Sequence, residues 1–200
     1  IKYASSHLQN KDEDFLLGAI NIDPQVFLYI KRTIKQNPSF MLKAIEKKTD
    51  FIIHADMDLY KNPKFMIDAI KIDPRHIFNA SGAEVKGGGL KNNEEFMLEA
   101  AQLKANSLSH ASDDLKKNPN FALKVIKVNP KSIIHASTEL KNNKDFMLEV
   151  IKVDPKSIIY ASTELKNNKD FMLEAVEIDK SCFMHASAEL KNNPAFTRSE

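Results

Sequence analysis

The chain repeats itself every 25 residues, and that period limits what it can fold into. Residues Asn129–Val153 read NPKSIIHASTELKNNKDFMLEVIKV, and Asp154–Ile178 read DPKSIIYASTELKNNKDFMLEAVEI. Equivalent units begin near Asp23, Lys48, Asp73, Lys104, Asn129, Asp154 and Asp179, after a truncated unit at the start. The expectation is one array over 1–200, in units of about 1–22, 23–47, 48–72, 73–103, 104–128, 129–153, 154–178 and 179–200. The unit from Asp73 is 31 residues long and so carries a six-residue insertion. A unit this short cannot bury its own apolar face and has to lean on the next one.

Each unit reads as two short helices. In the unit from Asp154, the Asp154 carboxylate is a good N-cap and Pro155 follows where a missing N–H costs nothing. Ile158, Ala161 and Leu165 then fall at i, i+3 and i+7 of a first helix. Lys166 and Asn167 turn the chain, and Asn168 caps a second helix. Phe171, Met172, Leu173, Ala175, Val176 and Ile178 make that helix apolar nearly all round, which predicts burial. The prolines agree with this register. Pro24, Pro74, Pro130 and Pro155 open first helices, and Pro38, Pro63, Pro119 and Pro194 open second helices. No strand assignment explains that placement.

Three apolar columns run through the units. Phe15, Phe40, Phe65, Phe96, Phe121, Phe146, Phe171 and Phe196 are equivalent, as are Leu17, Leu42, Ile67, Leu98, Leu123, Leu148 and Leu173. Ala4, Ala55, Ala80, Ala111, Ala136, Ala161 and Ala186 form a small-residue column expected to let first helices approach closely. Ile30 and Lys31 break the Ala-Ser pair in the unit from Asp23, which predicts different packing there. The fold expected is all-α, an α-solenoid of 25-residue helix-turn-helix repeats whose hand, right or left, is open. Neither end carries a polar terminal repeat, the pattern expected of a piece of a longer protein.

The recurring Tyr-Ala-Ser-x-Glu-Leu-x-Asn-Asn-x-Asp-Phe-Met-Leu-Glu-Ala, as at Tyr160–Ala175, resembles the tandem repeats of domain of unknown function 4116. The resemblance runs through every unit and departs from the pattern at Ile30, Lys31 and the insertion. It implies a helical repeat array of the kind found in effector-like proteins of intracellular bacteria and in some protists. It implies no activity, cofactor or catalytic residue.

Composition excludes several functions. Lys plus Arg is 29 against 27 Asp plus Glu, too balanced for a chain devoted to nucleic acid or a membrane surface. No apolar run approaches about 18 residues, and no signal-type segment opens the chain. Cys182 is the single cysteine, so there is no internal disulfide or cysteine zinc cluster, and a reducing compartment is expected.

Several constellations resemble chemistry. Ser132, His135 and Glu139 fall at i, i+3 and i+7, as do Ser107, His110 and Asp114, and Cys182, His185 and Glu189. Such a set suggests a nucleophile, a base and an orienting carboxylate. It recurs in several units where one active site needs one copy, and it becomes Ser157, Tyr160 and Glu164 in another. The expected role is instead a ring paired with an acid at i+4. The whole column is Tyr3, Tyr29, His54, Asn79, His110, His135, Tyr160 and His185, and a hydrogen-bonding ladder between repeats is expected from it. Imidazoles in a line cannot share one ion, so no metal and no cofactor are expected.

Met41, Met66, Met97, Met147 and Met172 form a second-helix stripe, expected to pack against neighbouring units rather than to bind. Lys35, Lys91, Lys116, Lys141, Lys166 and Lys191 form a turn column two residues after an acidic row of Asp58, Asp114, Glu139, Glu164 and Glu189. With acids alongside and no aromatic interleaving, a solvated edge is expected there rather than a phosphate track. The insertion from Gly82 to Gly89 holds four of the five glycines and lacks a phosphate-loop order.

These observations point to a non-catalytic scaffold that binds a protein or peptide. Candidate contact residues are Gly82, Glu84, Lys86, Gly87, Gly88 and Gly89 of the insertion, His110, His135, Tyr160 and His185, and Lys116, Lys141 and Lys166. Two alternatives are a recruiting or regulatory segment of a larger enzyme and nucleic-acid binding through the lysine column.

Overall fold

The computed structural model describes residues 12–81, 89–104, 106–193 and 196. Among them there is helix and turn and no strand, and the fold is an all-α helical repeat. The chain divides into two compact units, Ile1–Ala105 and Asn106–Glu200, close to the expected junction of two repeats.

The second helices form as expected. In the first unit they are Glu13–Ile22, Pro38–Lys47, Pro63–Ile72 and Glu94–Gln102. In the second they are Pro119–Val128, Lys144–Val153 and Lys169–Ile178. Each starts on an Asp or Asn whose side chain accepts a backbone N–H of the first turn, as Asn168 does from Phe171 at 2.9 Å. A ten-residue helix is marginal by itself, so its stability comes from packing. Within each unit every long helix packs on the next, and the phenylalanines stand in file between them. From Phe40 to Phe196 none is more than 5% exposed. Each such burial is worth about 1.5–3 kcal/mol. Phe15, on the first long helix, is 50% exposed. The five methionines of the stripe are fully buried, so they pack as expected.

The first helix of each repeat differs from expectation. It is two elements rather than one. In the repeat from Asp154, Pro155–Tyr160 is a 3-10 helix and Thr163–Lys166 is a single α-turn. Ala161 and Ser162 between them are extended. The break recurs at Pro130–His135 with Thr138–Lys141, and at Lys180–His185 with Ala188–Lys191. The reason lies in the Ala-Ser pair. The Ser162 hydroxyl accepts the Leu165 N–H at 3.1 Å, so serine starts a new helix instead of continuing the old one. The alanine column is therefore buried at a chain break, not along a continuous helix. Proline still opens the first element, but a 3-10 helix in place of an α-helix. The repeat from Lys104 is the exception, with a short α-helix Ser107–His110 in that place.

The ladder between repeats is made of backbone. The N–H of Ser162 donates to the carbonyl of Lys141 at 3.0 Å, and Ser187 to Lys166 at 2.9 Å. Ser137 to Lys116, Ser81 to Tyr60 and Asp56 to Lys35 repeat the bond. Side chains reinforce it, with Ser162 Oγ on Asn142 Oδ1 and Ser187 Oγ on Asn167 Oδ1 at 2.6 Å or less. The irregular repeat from Asp23 has its own tie. Lys31 offers no side-chain cap, and Arg32 Nε instead reaches Asp56 Oδ2 at 2.5 Å, a carboxylate only 5% exposed.

Candidate functional site

Lysines of the column are tied to backbone rather than left to solvent, except Lys116, whose ammonium lies 3.9 Å from Asp113. Lys141 Nζ donates to the carbonyl of Ile134 at 2.7 Å, Lys166 to Ile159 at 2.6 Å and Lys191 to Met184 at 2.6 Å. Each bond spans seven residues and places an ammonium on the last turn of its own 3-10 helix, where carbonyls lack partners. The column lysines are half-buried, and burial holds Lys35, Lys141 and Lys166 below the ordinary lysine pKa. Lys35 also sits 5.5 Å over the Phe27 ring. Where the column has Tyr60, its hydroxyl donates at 2.7 Å to the carbonyl of Ile52, one residue earlier, which also accepts the Ala55 N–H.

His54 and His135 of the ring column do not meet the acids either. His135 closes a 3-10 helix and has lysines for neighbours. Burial, then Lys141 and Lys116, hold its pKa below 6.5. Glu139 turns to its own helix start, where its backbone N–H and Ser137 hold its carboxyl below the usual range. Glu189 accepts from Asn167 Nδ2 at 3.3 Å. His54 stacks on Phe27 of the preceding repeat with centroids 5.0 Å apart, and burial and Lys35 lower its pKa. The ladder expected of this column thus belongs to the Ser-Lys backbone bond. His110, Tyr160 and His185 are half-buried at the equivalent places.

The nucleophile positions are buried. Ser132, Ser157 and Cys182 are buried at the third position of their 3-10 helices, and Ser107 is buried at the first position of Ser107–His110. His76 occupies the same column. Its Nδ1 lies 2.9 Å from the Ala69 carbonyl and its Nε2 3.2 Å from the Thr49 carbonyl in the preceding repeat. Cys182 Sγ lies 4.0 Å from the Pro155 carbonyl, the matching place one repeat earlier. Burial, with Asp179 nearby, pushes the Cys182 thiol up to about 11. No group of three or more His, Cys, Asp or Glu among the described residues is placed to hold a metal ion. No described helix is long and apolar enough to cross a membrane.

Of the insertion, Gly82, Glu84, Lys86, Gly87 and Gly88 lie outside the described residues. Gly89 has φ +54°, and a Cβ there would stand 2.6 Å from Ser81 Oγ. The loop base is tied at this point. Leu90 N donates to Ser81 Oγ at 3.2 Å and Lys91 N to the Ser81 carbonyl at 3.0 Å.

The surface holds a row that sequence reasoning missed. Leu28, Ile53 and Phe78 in the first unit are 62%, 65% and 65% exposed. Ile134, Ile159 and Met184 in the second are 53%, 50% and 66% exposed. Each is the next-to-last residue of a 3-10 helix, and neighbouring 3-10 helices pack together within each unit. An open groove of about 250 Å³ runs beside Ile53, Phe78, Arg75 and Asn79 in the first unit. The available signal was an apolar residue recurring at the repeat period directly after a buried one. With three residues per turn, a 3-10 helix that buries Ser157 and Ile158 turns the third residue, Ile159, outward.

Fold and surface together define a protein built of tandem helical repeats. Four overlapping matches to the family model described as Domain of unknown function (DUF4116) cover residues 62–116, 93–141, 118–166 and 143–191. The chain belongs to that family. No curated protein and no solved structure matches it.

Proposed function

We propose that this chain is a non-catalytic interaction module that binds a protein partner along its 3-10 helices. One observation carries the reading: a large apolar side chain is exposed at the same position in repeat after repeat. Isolated exposed apolar residues are ordinary, whereas a contiguous row on adjoining elements is the mark of an interaction surface. The reactive side chains support the same reading from the other side. The column lysines cap carbonyls, Ser162 caps a helix, and Cys182 is buried as a thiol. Nucleic acid is a poorer fit, because the row of the second unit is Ile134, Ile159 and Met184, with no aromatic side chain on which a base could stack.

The test is a selection of random peptides displayed on phage against the whole chain, repeated with Ile53→Glu/Ile159→Glu. Peptides that bind the wild type and not the variant are the expected result. Binding unaffected by the variant would place the interaction elsewhere.

A further inference from the structure

We infer that the Ile134–Ile159–Met184 row of the second unit, together with Lys131 and Lys156, is a docking strip for an acidic, apolar segment of a partner protein. This rests on the interaction-module reading and adds the chemistry of the partner. Lys131 and Lys156 stand three residues before Ile134 and Ile159. That is one full turn of a 3-10 helix, so lysine and isoleucine eclipse each other on the open face. Both lysines are exposed. The ammoniums of Lys141, Lys166 and Lys191 arrive at the same residues from the other side, fixed on the carbonyls of Ile134, Ile159 and Met184.

Charge balance separates this face from the rest of the unit. On the long helices, Lys144 pairs with Glu174 at 2.7 Å and Lys152 with Glu149 at 2.6 Å. Among the described residues, none of Lys131, Lys141, Lys156, Lys166 and Lys191 forms an ion pair with a carboxylate. Of the nearby acids, Glu139 is held at its own helix start, Glu189 accepts from Asn167 and Asp154 caps the Lys156 N–H. An apolar row flanked by unneutralised cations, two at each isoleucine and one at Met184, is complementary to a segment that alternates Asp or Glu with Leu, Ile or Phe. One apolar side chain per repeat, with two cations beside each isoleucine and Lys191 beside Met184, also sets a regular spacing. That suits a peptide with fixed side-chain positions better than the fluid surface of an anionic bilayer.

The experiment uses the same displayed library on the whole chain and sequences the binders. The expected outcome is enrichment of Asp and Glu beside apolar residues. A synthesised binder should lose about tenfold or more in affinity for Lys131→Glu/Lys156→Glu, two exposed positions whose capping bonds run through the backbone N–H and survive the change of side chain. Its affinity should also fall as salt rises from about 50 to about 200 mM. Ile159→Glu should abolish it, and circular dichroism should show each variant folded. Enriched peptides with no acidic bias, or binding indifferent to the lysine variant, overturn the acidic-partner inference and leave the interaction module standing. No enrichment of any peptide overturns both. Binding to phosphatidylserine vesicles with no peptide selected overturns the protein partner in favour of a membrane surface.

Discussion

Lys166 holds two repeats together through both of its ends: its ammonium reaches the Ile159 carbonyl at 2.6 Å, and its own carbonyl receives the N–H of Ser187 in the next repeat at 2.9 Å. The side-chain bond finishes the 3-10 helix of one repeat, and the backbone bond starts the next. The same pair of bonds recurs at Lys141 with Ile134 and Ser162.

Removing the ammonium tests that link. Lys166→Met keeps the aliphatic stem and leaves the Ile159 carbonyl without its cation. A loss of about 0.5–1 kcal/mol is expected, read from urea unfolding, with Lys166→Arg closer to wild type. A methionine variant as stable as the wild type would show the bond to be energetically idle.

The file of phenylalanines makes a graded prediction. Phe171→Ala empties a fully buried site and should cost about 3–5 kcal/mol. Phe15→Ala, at a 50% exposed site, should cost less than about 2 kcal/mol. Equal costs at the two positions would contradict the burial difference.

Cys182 is predicted to be inert in the folded chain. Its thiol is buried and pushed up to about 11, so the thiolate is scarce near neutrality. Iodoacetamide at about pH 8 should leave it unmodified in native protein and alkylate it fully in urea. Rapid modification of the native chain would show an accessible thiolate and reopen nucleophilic chemistry there.

Acid should weaken the fold through His135. Its folded pKa lies below 6.5 because of burial and the Lys141 and Lys116 charges, so the unfolded chain binds more protons on acidification. The group costs nothing well above that value, and stability falls as pH drops through it toward the folded pKa. His135→Tyr, the residue of the next repeat, removes the effect. Urea midpoints compared at about pH 7.5 and about pH 5.5 should show the tyrosine variant gaining on the wild type at the lower pH. An unchanged difference would mean that the imidazole titrates alike in both states.

Much of the fold was legible in local signals. Asp154, Pro155 and Asn168 mark helix starts by chemistry that acts within a few residues, and the 25-residue period places Phe171 and Met172 in the core. The break at Ala161–Ser162 was also written locally, but Ile158, Ala161 and Leu165 keep helical spacing across it and conceal it. The lysine and histidine roles were not legible. Lys166 has a carboxylate two residues away in sequence and a carbonyl seven residues away, and only the path of the backbone decides which one it meets.

The sequence by itself determined the repeat, the helix starts, the buried phenylalanines and membership of a helical-repeat class, because caps, prolines and periodicity are short-range properties. Only the tertiary structure decided which of two adjacent isoleucines faces water. Ile158 is 1% exposed and Ile159 50%. Their side chains are identical in chemistry, so exposure depends on where the tight 3-10 turn points each one and on what the neighbouring repeats cover.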